Sequence, residues 1–311
     1  MVDLKELKAL MFVLTAGILW GSVFPLTKIS LRDFAAFDIA FYRVIFASFA
    51  MLILSFRKLG EVKLRKEDVR RLIPLSLCGV IAFYTFLNFG MSYSTPIKAS
   101  FLVCTYPLFV VLMAPMVVHE KLNLDKVIGV CLGLVGAYLI IGGGQLIDIF
   151  DPHTIRGDLI LLLASISYAF YPLLTKRLFL TVSLTAEYVT TNIFAFAVPP
   201  FLILSAISSS PLTIVQASSI SVVSVVWLGV MGSAVAFLAF NKGLKVLKAS
   251  TSVIGLLIIP VVSTILSYII VGEEITTYKM LGGILVIVGI LVMQLSPRKI
   301  LGRLNWFQER R

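Results

Sequence analysis

The chain has 311 residues, of which 59% are hydrophobic and 14% are charged, and its mean hydropathy is +1.01. Soluble globular proteins do not have this composition, so that class is excluded. The formal net charge of +11 does not indicate nucleic-acid binding, because the basic residues cluster as they do in membrane proteins.

Long stretches without Asp, Glu, Lys or Arg predict membrane-spanning helices, since about 20 apolar residues cross a bilayer as a helix. Such stretches lie at residues 9–27, 72–97, 99–118, 127–147, 159–175, 249–272 and 280–297. A further span is predicted near 36–56, and the uncharged sequence from Tyr188 to Asn241 is long enough for two. The predicted fold is an all-α integral membrane protein with ten transmembrane helices.

The basic residues orient these predicted helices in the membrane. Most of them, including the clusters at 57–71 and 298–311, fall on the side that holds the N-terminus. The opposite side has few, namely Lys28, Arg32, Lys98, Arg156 and Lys279. Both termini are therefore expected in the cytoplasm, with the protein in the cell (plasma) membrane. A cleaved signal peptide fits residues 1–28 less well, because the apolar run is long and no cleavage site follows.

The second half of the chain repeats the first. A shift of 153 residues aligns Gly79 with Gly232, Asn88 with Asn241, Gly90 with Gly243, Pro107 with Pro260, Glu120 with Glu273, Lys126 with Lys279, Gly129 with Gly282, and Gly136 with Gly289. Nearer the N-terminus the shift is 148, which aligns Thr27 and Lys28 with Thr175 and Lys176.

Each repeat contains an odd number of predicted spans, so the two copies should face opposite ways in the membrane. The predicted domains are a first five-helix repeat at 9–147, a second five-helix repeat at 157–296, and a basic cytoplasmic tail at 298–311. Inverted repeats of this kind are the usual construction of alternating-access transporters around a central cavity.

Three ionisable residues are candidates for a gate or for ion coupling: Arg43, Glu120 and Glu273. Charges within the membrane are costly and often functional. Arg43 could snorkel outward from the second span or contact an anionic substrate. Glu120 and Glu273 each follow an apolar run, where they could bond backbone groups at a helix-hairpin corner or act as gating or proton-coupling groups.

Pro107 and Pro260 are predicted to lie in mid-span at matching positions of the two repeats. A proline removes one backbone hydrogen bond and kinks a helix, which frees carbonyl groups or creates a bending point. Paired interruptions point to a transport site, although packing kinks give the same pattern. We predict that both prolines are hinges.

Aromatic side chains gather at similar predicted depths, namely Trp20, Phe24, Tyr84, Tyr106, Tyr168 and Tyr171. Asn88 and Asn241 are predicted near the ends of the third and eighth spans. Tyrosine hydroxyls and aromatic faces suit an organic solute with an apolar part. Aromatic belts at the membrane interface, or hydrogen bonds between helices in the case of the asparagines, would produce the same pattern.

Catalytic and metal-binding motifs are missing from the sequence. There is no GxxxxGK[ST], HExxH or GxSxG motif, and the two histidines are far apart. Cys78, Cys104 and Cys131 lie in predicted apolar spans without ligand-like spacing. No catalytic residue, metal or cofactor is therefore predicted.

Three motifs resemble the drug/metabolite transporter superfamily, in its EamA-type ten-helix branch. The first-span motif is Gly17-Ile18-Leu19-Trp20-Gly21-Ser22-Val23-Phe24-Pro25. The second is Ala99-Ser100, then Pro107, then Glu120-Lys121-Leu122 ahead of a glycine-dotted span. The third is the repeat copy of the second, with Pro260, Glu273-Glu274-Ile275, Gly282 and Gly289.

The resemblance implies two inverted five-helix halves around a cavity, and a family that moves amino acids, sugars and other metabolites, often outward. It makes these residues candidates for substrate binding: Trp20, Tyr84, Asn88, Tyr106, Tyr168, Tyr171, Phe237 and Asn241. The sixth span departs from the first, with Tyr168-Ala169-Phe170-Tyr171-Pro172 in place of the Trp20-Gly21 motif. A strictly symmetrical site is therefore not expected.

The predicted function is a secondary transporter that exports small organic metabolites, such as amino acids, by alternating access. Its expected partners are the small-molecule substrate and the lipid bilayer, and its expected state is a monomer or weak homodimer. A channel-type pore for small solutes is an alternative, but it should show a ring of like residues or a filter loop. A membrane-embedded enzyme acting on lipid-linked substrates would need a polar catalytic cluster.

Overall fold

The computed structural model describes residues 4–56, 62–118, 124–142, 155–208, 213–247 and 258–294, together with Ser252 and Leu256. Regular structure in this part of the chain is entirely helical. The helices are α1 (Leu4–Ser30), α2 (Ala36–Leu54), α3 (Lys66–Tyr93), α4 (Pro96–Val103), α5 (Tyr106–Val118), α6 (Leu124–Gly142), α7 (Ile155–Thr181), α8 (Ala186–Ser208), α9 (Ser219–Val246), α10 (Ile258–Val271) and α11 (Thr277–Gln294).

Within these residues, 6 helices are long and apolar enough to cross a membrane: α1, α2, α3, α7, α8 and α9. The others are shorter apolar helices. Long and short helices alike carry large exposed hydrophobic side chains on their outward faces, such as Phe49 of α2, Ile203 of α8 and Ile269 of α10. Because lipid offers the backbone no hydrogen-bond partners, an apolar chain in a membrane satisfies its peptide groups internally as helices.

The single helix predicted for residues 99–118 is divided into α4 and α5. Pro107 explains the break, because it has no N–H to donate to the Val103 carbonyl. That carbonyl instead accepts a hydrogen bond of 3.1 Å from Ser165 Oγ of α7. The chain turns at Cys104 and Thr105, and Pro107 then occupies the first turn of α5, where proline is tolerated.

Helices of the two halves of the chain pack against each other in matching pairs. In the first half α1 packs on α9 and α10, and in the second half α7 packs on α3, α4 and α5. Further cross-half pairs include α2 with α8 and α6 with α11. The middle of the bundle is therefore built from both halves of the sequence.

Glycines allow α1 to approach α9, and α7 to approach α3, at backbone distance. A Cβ on Gly243 would lie 2.4 Å from Val13 Cγ2, and a Cβ on Gly90 would lie 2.7 Å from Leu161 Cγ. Both separations are too short for real carbon atoms. Small residues at these positions are what lets membrane helices pack closely.

The pair α6 and α11 is packed in the same manner. A Cβ on Gly136 would lie 2.6 Å from the Gly282 carbonyl oxygen, and a Cβ on Gly289 would lie 2.5 Å from the Gly129 carbonyl oxygen. These glycines serve helix packing, as their spacing in the sequence predicts.

Two helices contain a π-helical segment at corresponding positions: Leu77–Ala82 in α3 and Val230–Val235 in α9. A π-segment widens the helix by one residue and leaves carbonyl groups available to other donors. In α3, for example, the Cys78 carbonyl accepts a hydrogen bond of 2.9 Å from Ser167 Oγ of α7. Such segments are frequent at functional sites.

Candidate functional site

An aromatic cluster fills the middle of the bundle and draws on both halves of the chain. The ring centroid of Trp20 in α1 lies 5.9 Å from that of Tyr168 and 5.3 Å from that of Phe237. Tyr168 of α7 packs on Tyr106 at 5.2 Å and on Phe83 at 4.8 Å. Each well-oriented aromatic pair adds about 0.5–1.5 kcal/mol beyond its burial, so the rings hold one another in place.

A small cavity lies within this cluster. Its free volume is about 30 Å³, which has room for one or two waters and not for an organic solute. The described residues that line it are Trp20, Val23, Phe24, Arg43, Phe83, Leu87, Val103, Cys104, Tyr106, Tyr168, Leu256 and Ile259. An organic solute could therefore occupy this position only if the surrounding side chains or helices moved apart.

Arg43 of α2 is buried at this cavity, with 1% of its surface exposed. Its guanidinium carbon lies 3.9 Å from the centroid of the Tyr84 ring, which makes a cation–π contact. Its Nε and Nη2 lie 3.4 and 3.5 Å from Ser233 Oγ, which is long for a hydrogen bond. Arg43 therefore stays in the interior and does not snorkel to the surface.

Ser233 lies in the π-segment of α9 and forms hydrogen bonds next to Arg43. Its Oγ accepts a hydrogen bond of 2.7 Å from Tyr84 Oη and donates one of 2.8 Å to the Leu228 carbonyl. The neighbouring Gly232 carbonyl accepts a hydrogen bond of 3.1 Å from Trp20 Nε1. The π-segment thus ties α9 to the indole and tyrosine side chains of the other half.

Three residues that line the cavity each have a buried polar atom without a hydrogen-bond partner within the described part of the chain. The atoms are Arg43 Nη1, Tyr106 Oη and Tyr168 Oη. Buried polar groups in folded proteins are nearly always paired, so each open group calls for an explanation.

Of the aromatic residues predicted for substrate binding, the structure places Trp20, Tyr106 and Tyr168 in the cavity wall. The others form a second layer behind it. The Phe237 ring lies 6.5 Å from that of Tyr84 and 5.5 Å from that of Tyr171, and Tyr171 stacks on Tyr168 at 5.7 Å. This layer supports the rings that line the cavity.

The two asparagines lie outside the cavity wall and join helices. Asn88 of α3 donates a hydrogen bond of 3.1 Å to the Ala36 carbonyl of α2. Asn241 of α9 donates one of 2.9 Å to Thr190 Oγ1 of α8 and accepts one of 2.9 Å from Tyr171 Oη. Each asparagine therefore links the third helix of its half to the second, as interhelical polar residues do in membranes.

Both predicted hinge prolines lie in the first turn of a helix, and not in mid-helix. Pro107 is the second residue of α5, and Pro260 is the third residue of α10. The reason is steric, because a proline fits the start of a helix and breaks its interior. In each half, the proline marks the start of a helix segment beside the cavity, close to the lining residues Tyr106 and Ile259.

Glu273 caps a helix of the other half. It follows Gly272, which ends α10 with a φ of 72°, a left-handed conformation that glycine adopts readily. Its Oε2 accepts a hydrogen bond of 2.8 Å from the Ile97 N–H at the start of α4, and its Oε1 lies 3.0 Å from Lys279 Nζ. This carboxylate therefore bonds backbone at a helix N-terminus. Its repeat partner Glu120 lies outside the described residues.

A buried ion pair that the sequence analysis did not select also joins the halves. Lys98 Nζ of α4 lies 2.5 Å from Asp158 Oδ2 of α7, and the two side chains are 10% and 0% exposed. Ser94 Oγ donates a hydrogen bond of 2.9 Å to Asp158 Oδ1. The signal in the sequence was Lys98 itself, a single charge between two long uncharged stretches.

Sequence reasoning also missed apolar members of the cavity wall, including Phe83, Leu87, Val103 and Leu256. Nothing in their residue types separates them from the apolar residues that face lipid. Among the described residues, no group of three or more His, Cys, Asp or Glu could hold a metal ion. If the surrounding side chains or helices moved apart, the arrangement could hold a small solute against aromatic faces and a few polar groups.

Comparison with known proteins bears on the family and the fold. The sequence profile of the EamA-like transporter family matches two segments of the chain, residues 7–142 and 155–295. An uncharacterized transporter of Archaeoglobus fulgidus is 28% identical over 274 residues, covering 88% of this chain and 92% of its own. YyaM, an uncharacterized transporter of Bacillus subtilis, is 26% identical over 300 residues, covering 93% and 94%.

A further relative is named a probable terminal-alkyne amino-acid exporter of Streptantibioticus cattleyicolor, with 25% identity over 308 residues that cover 96% of this chain and 97% of its own. One solved crystal structure, 20% identical, matches the fold with a TM-score of 0.70 and covers 94% of this chain and 97% of its own. Family and relatives are transporters and not enzymes. With its apolar helices, and as the motif resemblance predicts, this chain is a multi-pass membrane protein that belongs to the EamA-like transporter family.

Proposed function

We propose that this protein is a secondary transporter that exports small organic metabolites, such as amino acids, across the cell membrane by alternating access. The observation that carries the proposal is the small aromatic cavity in the middle of the bundle, whose wall contains side chains from both halves of the chain. A carrier needs a central site between its two halves, because that site must open to one side of the membrane at a time. A pore would instead need a continuous aqueous path.

The contacts around the cavity support two inverted repeats. In α9, a Cβ on Gly243 would lie 2.8 Å from the Ala9 carbonyl oxygen; in α3, a Cβ on Gly90 would lie 3.0 Å from the Gly157 carbonyl oxygen. Gly90 and Gly243 are repeat partners at the shift of 153, and residues 9 and 157 are related by the shift of 148. The same interface is thus made twice, once by each half.

Two lysines make a second pair of matching contacts. Lys28 Nζ donates to the carbonyls of Met91 and Ser94 at the end of α3, at 3.1 and 2.7 Å. Lys176 Nζ donates to the carbonyls at 244 and 247, at the end of α9, at 2.9 and 2.8 Å. Each lysine satisfies carbonyls at a helix C-terminus, where a positive charge is favourable.

Equivalent packing in the two halves supports alternating access. If each half can adopt the conformation of the other, the same chain has two states of similar energy that open to opposite sides. The first turns of α5 and α10, which contain Pro107 and Pro260, are the proposed hinges. Glu273 and Lys279, with the Lys98–Asp158 pair, are the proposed gate at the end of the bundle where α1 ends.

The direction and setting of transport are also part of the proposal. Export is supported by the relative that is named an amino-acid exporter. A plasma-membrane location with both termini cytoplasmic is supported by the distribution of Lys and Arg. We propose that the protein is a monomer or weak homodimer and needs no cofactor. We further propose that Glu120 or Glu273 is the group that would couple transport to a proton gradient.

The test is counterflow into proteoliposomes that contain the purified full-length chain, with a panel of labelled amino acids, sugars and nucleosides. We expect saturable uptake of one class. Tyr168→Ala should lower it about tenfold or more, equivalent to about 1.4 kcal/mol in the transition state, whereas Tyr138→Ala, on an exposed side chain, should not. If Glu273 couples protons, Glu273→Gln will keep counterflow but lose the response to an imposed pH gradient.

Two results would contradict the proposal. Fast, non-saturating leakage of many solutes would mean that the chain forms a pore. Equal uptake by wild type and Tyr168→Ala would mean that the aromatic cavity is not the substrate site.

A further inference from the structure

We propose that Arg43 binds the carboxylate group of the transported solute, so that the substrate is a small carboxylate with an apolar remainder, such as an apolar amino acid. The inference rests on the proposed transport function and names its substrate class. It starts from the position of Arg43, a charged side chain that is 1% exposed and lies in the wall of the central cavity.

Nothing in the described structure neutralises this charge. Removing a guanidinium from water is unfavourable unless an anion or several acceptors compensate it. The partners of Arg43 in the described part of the chain are neutral groups: Ser233 Oγ at 3.4 and 3.5 Å, and the ring face and hydroxyl of Tyr84. Its Nη1 has no hydrogen-bond partner in the part of the chain that the structure describes. Arg43, a residue that lines the cavity, is therefore a buried cation with an open donor.

Two tyrosines add open polar groups to the same wall. The hydroxyls of Tyr106 and Tyr168 are buried and lack partners among the described residues, and both rings line the cavity with Arg43. Polar groups that lack hydrogen-bond partners, on residues that line one cavity, indicate a ligand that forms those hydrogen bonds. A carboxylate would accept from Nη1, while the hydroxyls could donate to that carboxylate or accept from an ammonium group of the same solute.

The charge and the wall together select a carboxylate over a phosphate. Arg43 is the one charged residue among the described lining residues, and a carboxylate carries one negative charge to match it. A phosphate monoester carries about −1.5 to −2 charges at neutral pH, which would leave an uncompensated anion in the cavity. The aromatic and aliphatic side chains that make up the rest of the described wall fit an apolar or aromatic substituent.

A purely structural role for Arg43 predicts different behaviour. If the cation–π contact with Tyr84 and the contacts with Ser233 were its purpose, replacing Arg43 would destabilise the protein. If Arg43 instead serves to bind a ligand, its buried charge destabilises the unliganded protein. Replacing Arg43 with a neutral residue then leaves the thermal stability of the unliganded protein unchanged or raises it.

The experiment uses matched pairs of solutes in the same proteoliposome assay. L-leucine, L-phenylalanine and L-tryptophan are compared with their carboxamides, which have the same side chain and ammonium group but no negative charge. Wild type should take up at least one amino acid about tenfold or more faster than its carboxamide, because a buried charge pair is lost in the amide. Arg43→Gln should remove this preference and Arg43→Lys should keep part of it.

Arg177→Gln is the matched control, since Arg177 is exposed at the end of α7; it should leave the preference unchanged. The melting temperature of unliganded Arg43→Gln in detergent should equal or exceed that of wild type. Equal uptake of carboxylate and carboxamide by wild type, or a preference that survives in Arg43→Gln, would overturn the assignment and leave the transport function standing. So would a loss of melting temperature in both Arg43 variants that Arg177→Gln does not share.

Saturable uptake of carboxamides or neutral solutes alone would also overturn the assignment. No saturable uptake of any solute would count against the transport function itself, and the carboxylate assignment would fall with it.

Discussion

At the scale of single residues, glycines decide how closely the helices of the two halves approach. Gly90 of α3 faces Leu161 of α7, where a Cβ would lie 2.7 Å from Leu161 Cγ and 2.9 Å from Cδ2. In lipid there is no hydrophobic driving force between helices, so close packing of this kind supplies much of the stability. One added methyl group therefore has a measurable effect.

We predict that Gly90→Ala destabilises the protein by about 1–3 kcal/mol, the usual effect of overpacking. The measurement is the melting temperature in detergent for wild type, Gly90→Ala, Leu161→Ala and the double variant. Because Leu161→Ala removes the clashing atoms, Gly90→Ala should be less harmful in that background. A strictly additive double variant would show that the steric contact does not exist.

The contribution of Asp33 to the stability of the folded protein depends on pH. Asp33 lies in the turn after α1, where its Oδ2 accepts hydrogen bonds from the N–H (3.1 Å) and the hydroxyl of Ser218, just before α9. These hydrogen bonds, with a further one from Ser221, lower the pKa of Asp33 below its ordinary value of 3.8. The charged form is thus favoured by folding.

A carboxyl group whose pKa is lower in the folded than in the unfolded state stabilises the folded protein at any pH above its unfolded-state pKa. That stabilisation is lost as the pH falls through the folded-state pKa. We predict that Asp33→Asn lowers the melting temperature slightly at neutral pH, and that the difference from wild type vanishes at a pH below 3.8. The effect is small because the carboxylate is exposed and screened by solvent. A difference that stays constant down to the most acidic pH at which the protein folds would contradict the assignment.

At the scale of helices, polar side chains of the second half support the broken helix formed by α4 and α5. Glu273 caps α4, Lys98 of α4 pairs with Asp158 of α7, and Ser165 of α7 takes the carbonyl that Pro107 leaves free. A helix that is interrupted in the membrane needs such partners, because its released backbone groups have no water to bond.

We predict a strong asymmetry between breaking and replacing the Lys98–Asp158 pair. Asp158→Asn should destabilise by about 3–5 kcal/mol, because it leaves the Lys98 ammonium buried without its counter-ion. The double variant Lys98→Met with Asp158→Leu should recover more than half of that loss. Thermal unfolding in detergent measures both; equal losses in the single and double variants would show that the charges do not act as a pair.

At the scale of the whole molecule, the central question is whether the cavity opens. Cys104 can report whether the cavity opens, because this cysteine is 3% exposed and lines the cavity. A water-soluble thiol reagent reaches Cys104 only when the helices around it separate. The other cysteines, Cys78 and Cys131, lie at half-buried and exposed positions and can be replaced by serine.

In a variant with Cys78 and Cys131 replaced by serine, we predict that a methanethiosulfonate reagent modifies Cys104 at least about tenfold more slowly than in denatured protein, since opening is a minor population. A transported solute should slow the reaction further by occupying the cavity. Mass spectrometry of the time course measures both. Modification as fast as in denatured protein would mean that the cavity is permanently open.

The sequence by itself determined the class of the protein and the place of its main helices. The apolar spans predicted at 9–27 and near 36–56 lie within a few residues of the observed bounds of α1 and α2, because a membrane-spanning helix needs about 20 mainly apolar residues whatever the fold. The motif around Trp20 and the doubled proline pattern indicated the family. Trp20, Tyr106 and Tyr168, selected from residue type, depth and family resemblance, lie in the cavity wall.

Only the tertiary structure decided which side of each helix faces the cavity. These helices are apolar all round, so their sequences show no polar face that would define a rotation about the helix axis. The depth of Arg43 could be read from the sequence, but its approach to Tyr84 and Ser233 depends on how α2, α3 and α9 pack. The same holds for Asn88 and Asn241, which turn from the cavity to bond neighbouring helices, because lateral packing sets their partners.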